Sequence, residues 1–284
     1  MSFLLLAYKQ SAQRRTAYSI LASSNPSVRW SGKVLERPPT FLGQGIAGQM
    51  AASEDEFGLE DSELFTPVAE LQEFTAGQRS LQLYCSPAAS TDYDETGTIL
   101  WPAAQMLADY LAQHEDLLHG RNAAIELGSG IGLVGMLASL SCRTVLTDHN
   151  AHVLNVLRRS AQNFSRQNGS QQATCARLDW GNSEEIAHLR SLAPGGQGYD
   201  LVLGADVCYS LSALSSLFST AAQLLSKGSA SAFLLGYVSR ASNIDRALAG
   251  KAAEASLTMV EVPDSTLQLC GSWQGCIYIC HCLP

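Results

Sequence analysis

The sequence predicts a doubly wound α/β fold with a seven-stranded, mostly parallel sheet, preceded by an N-terminal extension. Three observations predict it. From about residue 95 onward, short apolar runs alternate with stretches of helical spacing, the pattern of a parallel sheet. A Gly-rich turn follows the first of those apolar runs. Hydrophobic residues make up 46% of the 284 positions and charged residues 15%, enough to fill a large α/β core.

Residues 1–75 have a different texture and are read as a variable or partly disordered extension. The first 35 hold Lys9, Arg14, Arg15, Arg29 and Lys33, with no acid before Glu36, as an organellar transit peptide would. A short basic helix over 9–22 or a loose terminus are the alternatives. Residues 31–75 combine Pro38-Pro39 with an acidic stretch from Glu54 to Glu63. The main domain is expected over 76–284. Its first strand is Arg79–Cys85, where polar and apolar positions alternate, followed by a turn over Ser86–Glu95. Trp101–His114 has helical spacing, and Pro102 is acceptable in its first turn.

The alternation then runs to the C-terminus. Strands are expected at Asn122–Leu127, Arg143–Thr147, Thr174–Leu178, Tyr199–Ala205 and Ala230–Val238. Helices are expected at Leu133–Leu140, Val153–Asn168, Ser183–Leu192, Leu211–Leu225 and Asn243–Ala255. Two final strands, Thr258–Val262 and Cys276–Cys282, complete the set.

Composition weighs against several classes of function. A net charge of -8 argues against a broad electrostatic grip on nucleic acid. No run approaches the 18 or so apolar residues of a membrane span. The eight cysteines form no CxxC pair, and a chain of this size needs no disulfide staples, so a reducing compartment fits. Cytoplasmic location is expected, with plastid or mitochondrion as the alternative if the basic terminus is a transit peptide. Cys276, Cys280 and Cys282 share strand parity, but neighbouring His281 points to the opposite face, and no metal is expected.

The chemistry concentrates at the ends of successive strands. Glu126-Leu127-Gly128-Ser129-Gly130-Ile131-Gly132 turns sharply from a strand into a helix, letting the backbone approach a ligand closely. Gly130, Gly132 and Gly135 also satisfy GxGxxG, so a dinucleotide site has to be weighed. A carboxylate at Glu126 would repel a pyrophosphate and suits the cationic sulfonium–amino acid part of S-adenosylmethionine. Asp148, at the end of the second parallel strand, can accept both hydroxyls of a ribose. Asp179-Trp180, at the end of the third, offers an adenine ring an acceptor and an aromatic contact. The plain alternatives are a surface acid at Glu126, a helix N-cap at Asp148 and a core aromatic at Trp180.

Five ordered motifs carry a family resemblance. Thr96-Gly97 with Trp101-Pro102-Ala103-Ala104 resembles the leading motif of the family-16, seven-strand protein-lysine methyltransferases. Glu126–Gly135 matches their ELGSGxGLxG loop, and Leu146-Thr147-Asp148 their acidic strand end. Leu178-Asp179-Trp180-Gly181 matches their LxWG block, and Asp206-Val207-Cys208-Tyr209 their DxxY motif. The likeness runs over about residues 77–284. Relatives in that family modify heat-shock chaperones, valosin-containing protein, translation elongation factors and calmodulin.

The resemblance implies a class I, Rossmann-like enzyme that takes S-adenosylmethionine and methylates the ε-amine of a lysine in a protein substrate. It implies that Trp101, Glu126, Gly128, Ser129, Gly130, Gly132, Asp148, Asp179, Trp180 and Ala205 line the cofactor site. Asp206 and Tyr209 would lie beside the transferring methyl, Asp206 orienting the lysine ammonium before it loses its proton. Methylation of histidine or of a small molecule is the runner-up. A nicotinamide-dependent oxidoreductase or a silent cofactor-binding partner is more distant. The partner expected is a protein presenting a lysine, with no nucleic acid or membrane, and the chain is expected as a monomer. Residues 1–75 match no subgroup, which leaves the acceptor's identity open.

Overall fold

The computed structural model describes residues 69–86, 93–169, 173–228, 230–263, 265–268 and 274–283. The basic N-terminal stretch, the Glu54–Glu63 segment and Cys270 lie outside the described residues. Ten strands and six α-helices follow one another among those described. They are β1 (Glu70–Ala76), β2 (Arg79–Cys85), α1 (Pro102–Gln113), β3 (Ala123–Leu127), α2 (Leu133–Ala138), β4 (Arg143–Asp148), α3 (Ala151–Asn168) and β5 (Ala173–Arg177). Then come α4 (Ser183–Leu192), β6 (Leu201–Ala205), α5 (Leu214–Leu224), β7 (Ala232–Val238), α6 (Ser242–Glu254), β8 (Leu257–Glu261), β9 (Leu267–Gln268) and β10 (Gln274–Cys282).

The main sheet has the order β5-β4-β3-β6-β7-β10-β8, with the two-residue β9 beside β10. Strands β3 to β7 pair in parallel, and β10 runs antiparallel to β7 and β8. The winding reverses at β3, whose neighbours are β4 on one side and β6 on the other. At such a switch point the crossovers leave in opposite directions, so a crevice opens at the carboxyl ends of the strands.

Both faces of the sheet are covered. On one face α1, α2, α3 and the β1–β2 hairpin meet it through residues such as Leu107, Leu133, Leu157, Leu83 and Leu203. On the other, α4, α5 and α6 pack Ile186, Phe218 and Leu248 against Ile125, Val202 and Phe233. Full burial is why β7, Ala-Phe-Leu-Leu-Gly-Tyr-Val, reads as an unbroken apolar run rather than an alternation. Each such large side chain contributes about 1.5–3 kcal/mol of transfer free energy. Asn150 starts α3 and Asn182 starts α4, each side chain accepting from the N–H groups two and three residues on.

The parallel strands and all six helices fall within a few residues of their expected bounds. The hairpin partner β1 was not expected. Its sequence, Glu-Leu-Gln-Glu-Phe-Thr-Ala, buries only Phe74 and Ala76, so its alternation is too weak to announce a strand. Gly77, at φ 58°, supplies the left-handed turn into β2. The boundary expected at 75/76 therefore cuts a strand that pairs along its whole length with β2. The hairpin is tied to α3 by the Tyr84 N–H, which donates to Ser160 Oγ at 2.9 Å.

The C-terminal thiols sit in this framework as ordinary side chains. Cys280 is buried and its thiol is pushed up to about 12 by desolvation, while Cys282 is exposed. The His281 ring lies 2.9 Å from the Ser231 carbonyl. No described helix is long and apolar enough to cross a membrane.

The seat of α1 on the sheet depends on Gly236 of β7. A Cβ there would lie 2.9 Å from the Ala103 carbonyl oxygen and 3.1 Å from Leu107 Cβ. Gly236→Ala is expected to lift the start of α1 and destabilise the fold by about 1–3 kcal/mol, the usual cost of overpacking. Urea unfolding checks this, and an unchanged midpoint would mean that α1 yields freely.

Candidate functional site

The β3–α2 turn is built around three left-handed glycines: Gly128 (φ 61°), Gly130 (φ 53°) and Gly132 (φ 87°). Sterics forbid side chains as firmly as torsion does. A Cβ on Gly128 would meet Val207 Cγ1 at 2.9 Å and Trp180 Cζ2 at 3.2 Å. One on Gly130 would meet the Gly97 carbonyl oxygen at 2.9 Å, and one on Gly132 would meet Leu157 Cδ1 at 2.5 Å. Ser129 locks the turn to β4: its N–H donates to the Thr147 carbonyl at 2.8 Å, and its Oγ accepts from the Thr147 N–H at 3.0 Å.

Two carboxylates lie against this turn in different ways. Glu126 is 2% exposed, and its Oε2 accepts the Gly135 N–H at 3.1 Å. Burial pushes its carboxyl up to about 8, against the opposing pull of hydrogen bonds from Ser129 and Gly135, with the Asp148 charge raising it further. The side chain thus braces α2 from beneath. It is not a surface acid. Asp148 ends β4 with its Oδ2 accepting the Gly130 N–H at 3.3 Å and its Oδ1 accepting the Asn150 N–H at 3.0 Å. The cap of α3 is Asn150, so Asp148 is not serving as one.

Asp179 and Trp180 follow β5. The Asp179 N–H donates to Glu185 Oε2 at 2.7 Å, while its carboxylate is exposed and 3.9 Å from Arg177. Trp180 is half-buried against the α4–α5 core, and its ring lies 6.5 Å from the ring of Tyr209, which is 48% exposed. Gly128, His149, Leu178, Asp179, Trp180 and Tyr209 line one cleft of about 200 Å³, with Ala213 and Ser216.

A second cluster gathers at the ends of β6 and β7. Asp206 follows Ala205, the last residue of β6, and holds φ 60°. Both its oxygens are engaged by the guanidinium of Arg240, Nη1 on Oδ1 and Nη2 on Oδ2, the latter at 2.7 Å. The same guanidinium lies over the ring of Trp101, 5.0 Å from its centroid. Trp101 in turn donates through Nε1 to the Thr96 carbonyl at 2.8 Å, which anchors the 3₁₀ segment Tyr93–Thr98.

The structure therefore brings Gly128, Asp179, Trp180 and Tyr209 into one cleft, with Asp148 adjoining it through Gly130 and His149. Trp101, Ala205 and Asp206 stand together in the second cluster. Glu126 stands below the turn. Asp206 and Tyr209, both expected beside the transferring methyl, face different neighbours: Arg240 and Trp180. The Asp206 side chain, expected to orient an acceptor amine, is 3% exposed and paired with Arg240. Sequence reasoning missed Arg240, although it stands just past the fifth parallel strand, as Asp179 and Asp206 stand past theirs and Asp148 ends its own.

The fold and the crevice define a Rossmann-like class of ligand-binding α/β protein. A family model described as "Lysine methyltransferase" matches residues 88–250, more than half of the chain, and the chain belongs to that family. It is 30% identical over 170 residues to the histone-arginine methyltransferase METTL23 of Mus musculus, covering 59% of this chain and 62% of that protein. It is 33% identical over 132 residues to the protein N-lysine methyltransferase METTL21A of Mus musculus, covering 46% and 56%. With the protein-lysine N-methyltransferase EEF2KMT of Homo sapiens it shares 30% over 176 residues, covering 55% and 51%. The matches thus span 51–62% of the length of these relatives.

The Glu126 carboxyl makes stability depend on pH. An acid whose folded-state value lies above its unfolded one favours folding while both states are protonated, below about pH 4.5, and that contribution fades as pH rises through about 8. The melting temperature of the ligand-free protein is expected to decline across that window, and Glu126→Gln to flatten the decline. Calorimetric scans at several pH values check it; parallel curves for both proteins would show that Glu126 is not the group responsible.

Proposed function

We propose that this protein transfers a methyl group from S-adenosylmethionine to the ε-amine of a lysine in a protein substrate. The observation that carries the reading is the convergence, at the β3/β6 switch point, of the glycine turn, Asp148 and Asp179-Trp180. The residues fit that cofactor. Gly128 and Gly130 hold left-handed backbone packed too closely on Val207, Trp180 and Gly97 for any side chain, which leaves the turn as bare backbone a ligand can approach. The Asp148 carboxylate uses two of its roughly four acceptor sites on backbone N–H groups, leaving capacity for the hydroxyls of a ribose. The Trp180 ring offers a flat contact for a purine, and Asp179 an acceptor beside it.

When bound, S-adenosylmethionine supplies a methyl group activated by a sulfonium. The chain's own task is to hold an amine in line with it, unprotonated and away from water. A lysine amine has an unperturbed value near 10.4, so the site has to favour its neutral form. Positioning supplies most of the acceleration in such a displacement. Tyr209, half-exposed at the cleft rim beside Trp180, is the side chain an incoming polypeptide would meet first. Asp206 follows Ala205 at the end of β6 and is held by Arg240, just past β7.

The names of the relatives differ in acceptor, arginine for one and lysine for others, so the test reads the acceptor directly. Labelled S-adenosylmethionine and a cell extract are incubated with the protein, and the labelled band is hydrolysed to its amino acids. Methyl-lysine supports the proposal; label only in methyl-arginine or methyl-histidine overturns it. Binding of NAD without S-adenosylhomocysteine would overturn the class of reaction as well. In this reading the catalytic domain begins with β1 at Glu70, the residues before it form an extension, and the protein acts in the cytoplasm as a monomer.

Asp148→Ala is expected to weaken S-adenosylhomocysteine binding at least about ten-fold, since each charge-assisted bond lost is worth about 1.5–3 kcal/mol. Titration calorimetry on the folded variant checks it, and unchanged affinity would separate Asp148 from the ribose.

A further inference from the structure

Asp206 holds φ 60°, a conformation that a non-glycine residue keeps only where its surroundings impose it. Three contacts impose it here. The Asp206 N–H donates to the Gly236 carbonyl of β7 at 3.0 Å. The Ala103 N–H, in the first turn of α1, lies 3.4 Å from Oδ2. Arg240 grips both carboxylate oxygens with its two terminal nitrogens while lying over Trp101. One ion pair therefore joins the end of β6, the end of β7 and the start of α1.

Charge gives this pair a second role. A carboxylate left alone within about 4–6 Å of an amine favours the ammonium form and raises its pKa. The ammonium has no lone pair and cannot attack a methyl group. A guanidinium stays protonated at any pH of interest and cancels that influence. We propose that Arg240 is a positioning residue of the methyl-acceptor site: it fixes Asp206 in its left-handed pose and cancels its charge, so that an incoming lysine amine gives up its proton. In the step served, the ammonium first loses a proton to solvent. The nitrogen lone pair then forms the N–C bond as the C–S bond breaks, its electron pair remaining on sulfur. The proposal rests on the reading of the protein as an amine methyltransferase.

The described titratable groups on the elements packed here include Cys208, Tyr209, Tyr237 with Asp245, Cys276, Tyr278, Cys280 and His281 of β10, Asp109 and Tyr110 of α1, and Glu126. Burial raises the thiol of Cys208, and Tyr237 donates its hydroxyl to Asp245 at 2.6 Å. These groups are unchanged in the variants below, so a moved pH profile reports on the pair alone.

The experiment measures initial rates of tritium transfer from labelled S-adenosylmethionine into cell-extract protein across pH, with S-adenosylhomocysteine affinity alongside. Wild type is compared with Arg240→Gln, Arg240→Lys, Asp206→Asn and the double variant Asp206→Asn/Arg240→Gln. Arg240→Gln is expected to keep S-adenosylhomocysteine affinity within about three-fold and to lose about thirty-fold or more in rate near neutrality. The rising limb of its pH–rate profile, where the acceptor amine loses its proton, should move up by about one pH unit, because Asp206 is then uncompensated. Arg240→Lys should restore the limb and part of the rate. The double variant should return the limb to its wild-type place while remaining slow, since the bidentate hold is gone.

An unmoved limb and wild-type rate in Arg240→Gln would overturn the proposal, as would a parallel loss of S-adenosylhomocysteine affinity, which marks a purely structural pair. Should Arg240→Gln fail to fold, Asp206→Asn decides. It leaves the guanidinium uncompensated and should move the limb to lower pH; an unmoved limb overturns the proposal. A wild-type protein that labels nothing overturns the proposed function and this inference together, whereas a labelling wild type with indifferent variants overturns the inference alone.

Discussion

The β3–α2 turn has no spare volume on three sides, and the arrangement around it follows from that. Val207 and Trp180 close on Gly128, the Gly97 carbonyl closes on Gly130, and Leu157 and Leu146 close on Gly132. Because interiors pack near crystalline density, a contact at van der Waals distance fixes both partners. The turn therefore sets where the loop after β6, the segment before α1 and the first helical turns of α3 can lie. Those three pieces carry Asp206, Trp101 and the Asn150 cap that follows Asp148. The crevice is thus a product of backbone packing, and its side chains inherit their places from it.

Much of this was legible in the sequence for a physical reason. Strands buried on both faces carry no alternation, so β3, β6 and β7 stand out as apolar runs, and the helices between them show their apolar stripe. Acids that follow such strands have to emerge at one edge of the sheet, which is why Asp148, Asp179 and Asp206 could be placed together from residue order alone. The orientation of each side chain was not legible. Glu126 occupies the expected strand, yet its carboxylate turns beneath α2 to the Gly135 N–H. Arg240 meets Asp206 across 34 positions of sequence, a pairing that depends on β6 and β7 being neighbours and on both chain directions at their ends. The β1 strand escaped because its stability comes from its partner and from Ser160 of α3 rather than from its own pattern.

The acids at this edge are kept in place by different means, and the difference has consequences. Glu126 is buried with backbone and hydroxyl donors but with a second acid as its charged neighbour, so its neutral form is favoured. Asp206 is buried with a guanidinium. Removing one partner of such a pair leaves a charge without compensation and costs about 3–5 kcal/mol, far more than the pair adds over an apolar replacement. The pair is therefore poor economy as a stabiliser, and its presence calls for another explanation. Specific placement of the β6–α5 loop is one that the geometry supports, since the left-handed Asp206 costs about 1–3 kcal/mol that something nearby has to offset.

Glycine at position 206 would relieve that backbone strain at once, and asparagine would tolerate it better than most residues. Neither could hold Arg240, and without Asp206 the guanidinium over Trp101 would lose its bidentate anchor. Trp101 also donates to Thr96, whose neighbour Gly97 presses its carbonyl on Gly130. The end of β6 thus has a short path of packed groups to the β3–α2 turn: Asp206, Arg240, Trp101, Thr96, Gly97, Gly130. Each link is a contact with its own geometry, and the segment before α1 is the piece that touches both ends of the path.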